Sequence, residues 1–174
     1  MDNNAIMKLT SFETLVKALD TAQVRYLVAG GLAVNAHGYL RFTKDVDFVV
    51  QLSTANAGKA FATMLAVGYR PLVPVTAEQF SDSAIRDAWI RDKGMQVLQF
   101  WSDEHRETPI DVFVTEPFPF DEEYERALLK PLGAIPVRFV SIPTLIKMKL
   151  AAGRKQDMLD IEYLRERLKD NGRT

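Results

Sequence analysis

Apolar residues recur at helical spacing through Phe12, Leu15, Val16 and Leu19, and Thr10 with Glu13 three positions on has the spacing of a capping box. That pattern predicts an opening helix with one face on a sheet. Residues 25–29 (RYLVA) form a short apolar run that stops at Gly30-Gly31, and 32–37 resume with helical composition: strand, glycine turn, helix. After Gly38 and an irregular YLRFTK stretch, DVDFVVQ reads as a central strand despite two acids at its start. Ser53 or Thr54 caps a helix running through Phe61, Met64 and Leu65 to Gly68. YRPLVPV is Pro-interrupted, a loop or edge strand, and 76–93 is helical in part. MQVLQFW (95–101) and PIDVFVT (109–115) flank a polar turn and predict an antiparallel hairpin. FPFDEEYERALL begins acidic and turns apolar, as a helix does. IPVRFV is a further strand, Ser141 caps a helix with Pro143 in its first turn, and 156–169 carry a last helix before a DNGRT tail expected to fray. The whole predicts an α+β unit with mixed α/β character: a mixed central sheet with helices packed on it, one domain over 1–174, and a helical C-terminal part at about 141–170.

Composition narrows the chemistry. Lys plus Arg number 22 against 23 Asp plus Glu, so bulk charge attracts neither nucleic acid nor anionic lipid, and an anionic partner needs a local patch. There is no cysteine and only His37 and His105, which excludes thiolate chemistry and argues against a histidine-built zinc centre. Metal chemistry here is carboxylate chemistry. The N-terminus lacks a signal-peptide pattern and no stretch approaches ~20 apolar residues, so a cytoplasmic protein without a membrane partner is expected.

Three acids stand out. Asp45 and Asp47 alternate along one strand and share a face, where like charges repel unless a cation lies between them or one stays protonated. Mg²⁺, or Mn²⁺ in its place, suits such a pair because it takes hard oxygen ligands and bridges carboxylates to phosphates. Asp111, between Ile110 and Val112, is an acid in a strand that otherwise calls for burial. If its strand lies beside that of Asp45 and Asp47, three carboxylates meet, enough for two cations ~4 Å apart. Gly30-Gly31 lies upstream, letting the backbone approach a ligand with exposed N–H groups and aiming the next helix at phosphate oxygens.

AGG at 29–31, DVDFV at 45–49 and IDVFV at 110–114 resemble the nucleotidyltransferase superfamily related to the polymerase-β palm. The run GGLAVNAHGYLRFTKDVDFVV, with Arg-x-Thr-x-Asp-x-Asp at 41–47, and the stretch LIKMKLAAGRKQDMLDIEYL are similar to the AbiEii-like abortive-infection branch. The resemblance implies a nucleotidyltransferase fold and metal-dependent transfer of a nucleoside monophosphate from an NTP to a hydroxyl or phosphate acceptor, with tRNA, protein and small molecules as candidates. It also implies the toxin half of a toxin–antitoxin pair, hence a cognate antitoxin as partner. By that resemblance Asp45 and Asp47 are the metal pair, Asp111 the third acid, and Gly30 and Gly31 the phosphate loop. Arg41 and Thr43 contact phosphate or brace the loop, Lys149 offers a charge to the triphosphate, and Asp157 or Asp160 orients a basic side chain. Residues 69–107 match no familiar pattern, and the short C-terminus leaves the acceptor undefined.

Other readings stand beside these. The fold can persist as a degenerate module that binds nucleotide or a partner without chemistry, and some relatives in the superfamily modify aminoglycosides. Lys147 and Lys149 are two apart on a helix, so at most one points into a cleft. Arg154-Lys155 can be an ordinary basic helix terminus, His37 packs near Gly38, and His105 sits solvated in a charged turn. Trp89, Trp101 and Phe100 are packing residues with no assigned role.

Overall fold

The computed structural model describes residues 9–172. Seven strands form one mixed sheet: β1 (Tyr26–Ala29), β2 (Val46–Val50), β3 (Arg70–Pro71), β4 (Val97–Trp101), β5 (Ile110–Phe113), β6 (Leu128–Leu132) and β7 (Ile135–Phe139), in the spatial order β3-β4-β5-β2-β1-β7-β6. β2 is central, antiparallel to β1 and parallel to β5, and β4 and β5 form the expected antiparallel hairpin. Eight helices accompany the sheet in the described residues: α1 (Leu9–Thr21), α2 (Gly30–Ala36), α3 (Thr54–Val67), α4 (Ala77–Ser81), α5 (Ser83–Lys93), α6 (Phe120–Arg126), α7 (Ile142–Ala152) and α8 (Lys155–Asn171).

The two faces of the sheet serve different ends. On one, α1 and α3 cover the apolar rows: Phe12 of α1 meets Phe48 with ring centres 6.4 Å apart, and Phe61 of α3 meets Phe100 edge-on at 5.2 Å. Phe48, Leu98, Ile110 and Val112 are all buried there, each burial contributing on the order of 2 kcal/mol. On the other face lie α2 and α7, with α8 packed on α7, and this face carries the acids.

Local chemistry explains most boundaries. Ser53 accepts from Asn56 N to open α3, and Gly68 closes it in the left-handed region at φ 105°. Thr76 and Gln79 form a capping box for α4, while Asp82 caps α5, so 76–93 is two helices. The differences from the sequence reading have causes. Thr10 is inside α1, not its cap; its carbonyl accepts from Thr14 Oγ1 at 2.9 Å. The apolar end of FPFDEEYERALL does not continue the helix: α6 stops at Arg126, and Leu128–Leu132 pairs with β7 as an edge strand closed by Gly133 at φ 60°. Pro131 is tolerated because an edge strand need not donate on its free side. Asp170 and Asn171 remain helical instead of fraying, and residues 173–174 lie outside the described set. His105 is not solvated: its ring stacks on Tyr69 at 5.4 Å, with Nδ1 2.9 Å from Ser11 Oγ. Among the described residues no helix is long and apolar enough to cross a membrane.

Candidate active site

Register brings two of the acids together. β2 and β5 run parallel with Asp47 directly opposite Asp111, and the same row continues through Ala29 on β1 and Gln99 on β4. Asp45 stands two residues before Asp47, so alternation gives it the same face. Both Asp47 and Asp111 are half-buried. Burial first, then the neighbouring Asp111 and Asp45, push the Asp47 carboxyl up to about 7. The Asp111 carboxyl is raised by burial and by Asp45, partly offset by the side-chain amide of Gln99.

The paired glycines fit against these acids. Gly30 has φ 60°, and a Cβ there would overlap Asp47 Oδ2 and approach its Cγ to 2.6 Å. A Cβ on Gly31 would meet Thr43 Oγ1 at 2.6 Å and Arg41 Nη2 at 3.2 Å. The loop of residues 38–45 therefore rests on a bare backbone. Asn35 of α2 fixes it from below: its Nδ2 donates to Arg41 O at 3.0 Å and its Oδ1 accepts from Arg41 N at 3.1 Å. Thr43 Oγ1 donates to Asp45 O at 3.3 Å.

A second cluster closes this side. Asp160, fully buried on α8, accepts from Lys149 Nζ at 2.7 Å and from Arg41 Nη2 at 2.8 Å, both on Oδ2, and from Gln156 Nε2 on Oδ1 at 3.0 Å. Asp157 accepts from Lys149 Nζ at 3.3 Å and from Arg154 Nε and N at 2.9 and 3.0 Å. Burial alone would raise both carboxyls, but the hydrogen bonds and adjacent cations prevail and hold them below the ordinary range. The sequence suggests Lys149 as a charge for a triphosphate and Asp157 or Asp160 as the acid that orients a basic side chain; in the structure both acids bond Lys149, and Asp160 also grips Arg41. Lys147 and Lys149 both line the cavity, contrary to the one-face expectation, Lys147 exposed at its rim and Lys149 buried in the α7–α8 seam. Arg154 is the N-cap of α8, where a cation opposes the helix dipole and is offset by Asp157.

Asp45, Asp47, Asp111, Arg41, Lys149, Arg154 and Asp157 open on a cavity of about 890 Å³ running from Gly30, Gly31 and Asp47 past Asp111 to Phe113, Phe118 and Met148. Residue types suit a hard divalent cation: three carboxylates share one face, and a cation would relieve the repulsion between them. Among the described residues, however, no group of three or more His, Cys, Asp or Glu side chains is drawn together at ligand geometry. The donor set, hard carboxylate oxygens, is of the kind that Mg²⁺ takes.

Residues 15–172 match the family described as nucleotidyl transferase AbiEii toxin, type IV toxin–antitoxin system. The chain belongs to that family. As an AbiEii-family nucleotidyltransferase it also shares its fold with solved structures of low sequence identity. The antibiotic-resistance factor ANT(2'')-Ia matches at TM-score 0.61 and 14% identity over 92% of this chain and 83% of that one. The lincosamide antibiotic adenylyltransferase LnuA, solved with lincomycin bound, matches at 0.60 and 12% over 90% and 95%. An antigenic nucleotidyltransferase-like protein from Paracoccidioides brasiliensis matches at 0.55 and 16% over 94% and 77%. Comparison with curated protein sequences finds no match.

Four residues in or beside the site of this AbiEii-family chain escape sequence reasoning: Asn35 under the loop, Gln99 opposite Asp111, and Arg126 and Thr144 at the cavity wall. Asn35 sits at helical spacing in a run of small residues with nothing to mark it. Gln99 could have been found, since pairing the two predicted hairpin strands brings it opposite Asp111. Arg126 and Thr144 meet through buried Glu123, a contact 21 residues apart that no local pattern signals.

Proposed function

We propose that this chain transfers a nucleoside monophosphate from an NTP to a hydroxyl or phosphate acceptor with the help of Mg²⁺ or Mn²⁺. One observation carries the reading: Asp47 lies in register with Asp111 on adjacent parallel strands, with Asp45 on the same face and Gly30 pressed against Asp47. Asp45 and Asp47 would hold the cation, with Asp111 completing the set. A bound divalent ion supplies charge neutralisation on the triphosphate and lowers the pKa of the attacking hydroxyl.

The remaining roles belong to the protein's own groups. Gly30 and Gly31, by lacking side chains, let Asp47 and Thr43 close on the turn, and the N–H groups that open α2 would meet phosphate oxygens. Arg41 keeps one buried donor, Nε, with no partner among the described residues, and a phosphate oxygen would satisfy it. Thr43 braces the loop that carries Asp45. Lys149, neutralised by Asp157 and Asp160, acts on the triphosphate through the field of the whole cluster, while Arg154, with its side chain 76% exposed, remains able to reach it. Asp111 accepts the proton of the acceptor hydroxyl. The acceptor set includes tRNA, and membership of a toxin–antitoxin family makes a cognate antitoxin the natural regulator.

The test is label transfer from each radiolabelled NTP to RNA, protein and small-molecule acceptors, with Asp47→Asn beside wild type. Transfer that survives undiminished in the variant refutes the assignment. A second reading, a nucleotide- or partner-binding module without chemistry, draws on the separation of the carboxylates. Calorimetry with Mg²⁺-ATP alongside turnover assays separates the two, because the module binds without forming product.

A further inference from the structure

The two flanks of Asp111 differ in a way that bears on the acceptor, given the transfer reading above. The groups assigned above to the triphosphate lie on one side: the backbone N–H groups of Gly30 and Gly31, Arg41 and Arg154, over β1, α2 and the α7–α8 seam. In-line displacement puts the attacking oxygen opposite the departing pyrophosphate. With the strand order β4-β5-β2-β1, the opposite side is β4.

That side is open. Along β4, Leu98 and Phe100 are 1% and 2% exposed against α3, whereas Gln99 and Trp101 alternate onto the acid face and are exposed. Trp101 is 41% exposed, unlike Trp89 in the core, and Leu72, whose N donates to Gln99 O at 2.9 Å, is 58% exposed beside it. Large apolar side chains left in water next to an enzyme's acids mark a contact surface. Gln99 is the register partner of Asp111, so its side-chain amide stands on the acid face beside that carboxylate with both a donor and an acceptor to offer a hydroxyl. Trp101, two residues on, is roughly 7 Å farther along the strand, about one ring away.

We infer that the acceptor enters over β4, with its hydroxyl held between Gln99 and Asp111 and the sugar ring that bears it lying on the indole face of Trp101. A sugar hydroxyl belongs to a ribonucleotide end or to a free glycoside, and the chemistry read by Gln99 and Trp101 is common to both. In the step, the hydroxyl oxygen bonds to the α-phosphorus, the bond to the bridging oxygen of pyrophosphate breaks, pyrophosphate leaves with that electron pair, and Asp111 takes the hydroxyl proton.

The experiment uses the full chain carrying Trp89→Phe, so that Trp101 is the only indole. Two probes are titrated in the presence of Mg²⁺-ATP: a short single-stranded oligoribonucleotide with a free 3′-hydroxyl, and an aminoglycoside. Saturable quenching of Trp101 by either probe is expected. In the otherwise native chain Trp101→Ala and Gln99→Leu should then weaken that probe at least tenfold, with Trp101→Phe restoring most of the loss. Calorimetric affinity for Mg²⁺-ATP should stay within twofold in both Trp101 variants. Absence of quenching by both probes, or unchanged probe affinity in Trp101→Ala, overturns the inference. If wild type still binds Mg²⁺-ATP and transfers label, only the acceptor path falls; if it fails to bind Mg²⁺-ATP, the transfer reading falls with it.

Discussion

Two acidic clusters share this cavity and behave in opposite ways. Asp45, Asp47 and Asp111 share one face of the sheet with no cationic side chain bonded to any of them among the described residues, and Asp47 is pushed up to about 7. Asp157 and Asp160, more deeply buried, are held low because Lys149, Arg154, Arg41 and Gln156 donate to them. Burial raises carboxyls in both places, so the sign is decided by what each carboxylate is bonded to. Four donors satisfy one pair while no cation among the described residues bonds the neighbouring acids, and that difference is what the proposed cation site rests on.

The largest expected effect breaks the unpaired cluster. Asp47→Asn should lower transfer by ~10³-fold or more, the scale on which loss of a single charge-stabilising group acts. The same change should stabilise the metal-free protein. The folded-state pKa of Asp47 lies above its unfolded value, so the native chain binds the extra proton between an ordinary carboxylate pKa and about 7. Stability of the metal-free protein therefore falls as pH rises through that window, and Mg²⁺ should restore it above pH 7. A melting midpoint that is flat with pH, or that drops in Asp47→Asn, would show that the acids do not repel as described.

Breaking the paired cluster should do the reverse. Asp160→Ala leaves Lys149 and Arg41 as buried cations with a shared partner gone, and loss of ~3–5 kcal/mol is expected from denaturant unfolding. Activity should fall as well, because Arg41 and the loop of residues 38–45 lose their anchor on α8. Stability within ~1 kcal/mol of wild type would mean that this seam is solvated in solution. Gly31→Ala sits between the two clusters: its Cβ would push on Thr43 Oγ1 and Arg41 Nη2. It should cost ~1–3 kcal/mol and raise the KM for NTP about tenfold, with a smaller change in kcat.

The contrast between the clusters also shows what a sequence can reveal. Asp45 and Asp47 were visible because alternation is a local rule, and acids in a strand violate it conspicuously. Placement of Asp111 beside them needed strand order, which periodicity does not encode; there the family resemblance supplied what local rules could not. The pairing of Lys149 with Asp157 and Asp160 was half visible: residue types on two helices suggested an acid orienting a base, but not that Arg41, 119 residues away, shared the same carboxylate oxygen. β6 was missed because LLKPL has no alternation to read and owes its strand to Gly133 and the pairing with β7. Asn35, Gln99 and Arg126 are common polar residues whose meaning comes only from their neighbours.

The smallest effect sharpens the rule behind the comparison, using a carboxylate outside both clusters. Glu123 is fully buried on α6 and accepts from Ser141 N, Thr144 Oγ1 and Arg126 Nε, each at 2.6 Å, so it ties α6 to the start of α7, where the Ser141 side chain makes no capping bond. Burial pushes its carboxyl up, but these donors outweigh burial and hold it below the usual range. Its folded-state pKa is depressed, so its contribution is fully present above the unfolded value and is lost as pH falls through the folded one. Glu123→Gln keeps the shape and removes the charge, and should cost ~1–2 kcal/mol at pH 7. That difference should shrink as both proteins are acidified and vanish once wild-type Glu123 is itself protonated. A gap between the two unfolding curves that persists at low pH would place the loss in amide geometry instead, and would remove the ionic bonding on which the contrast between the clusters is built.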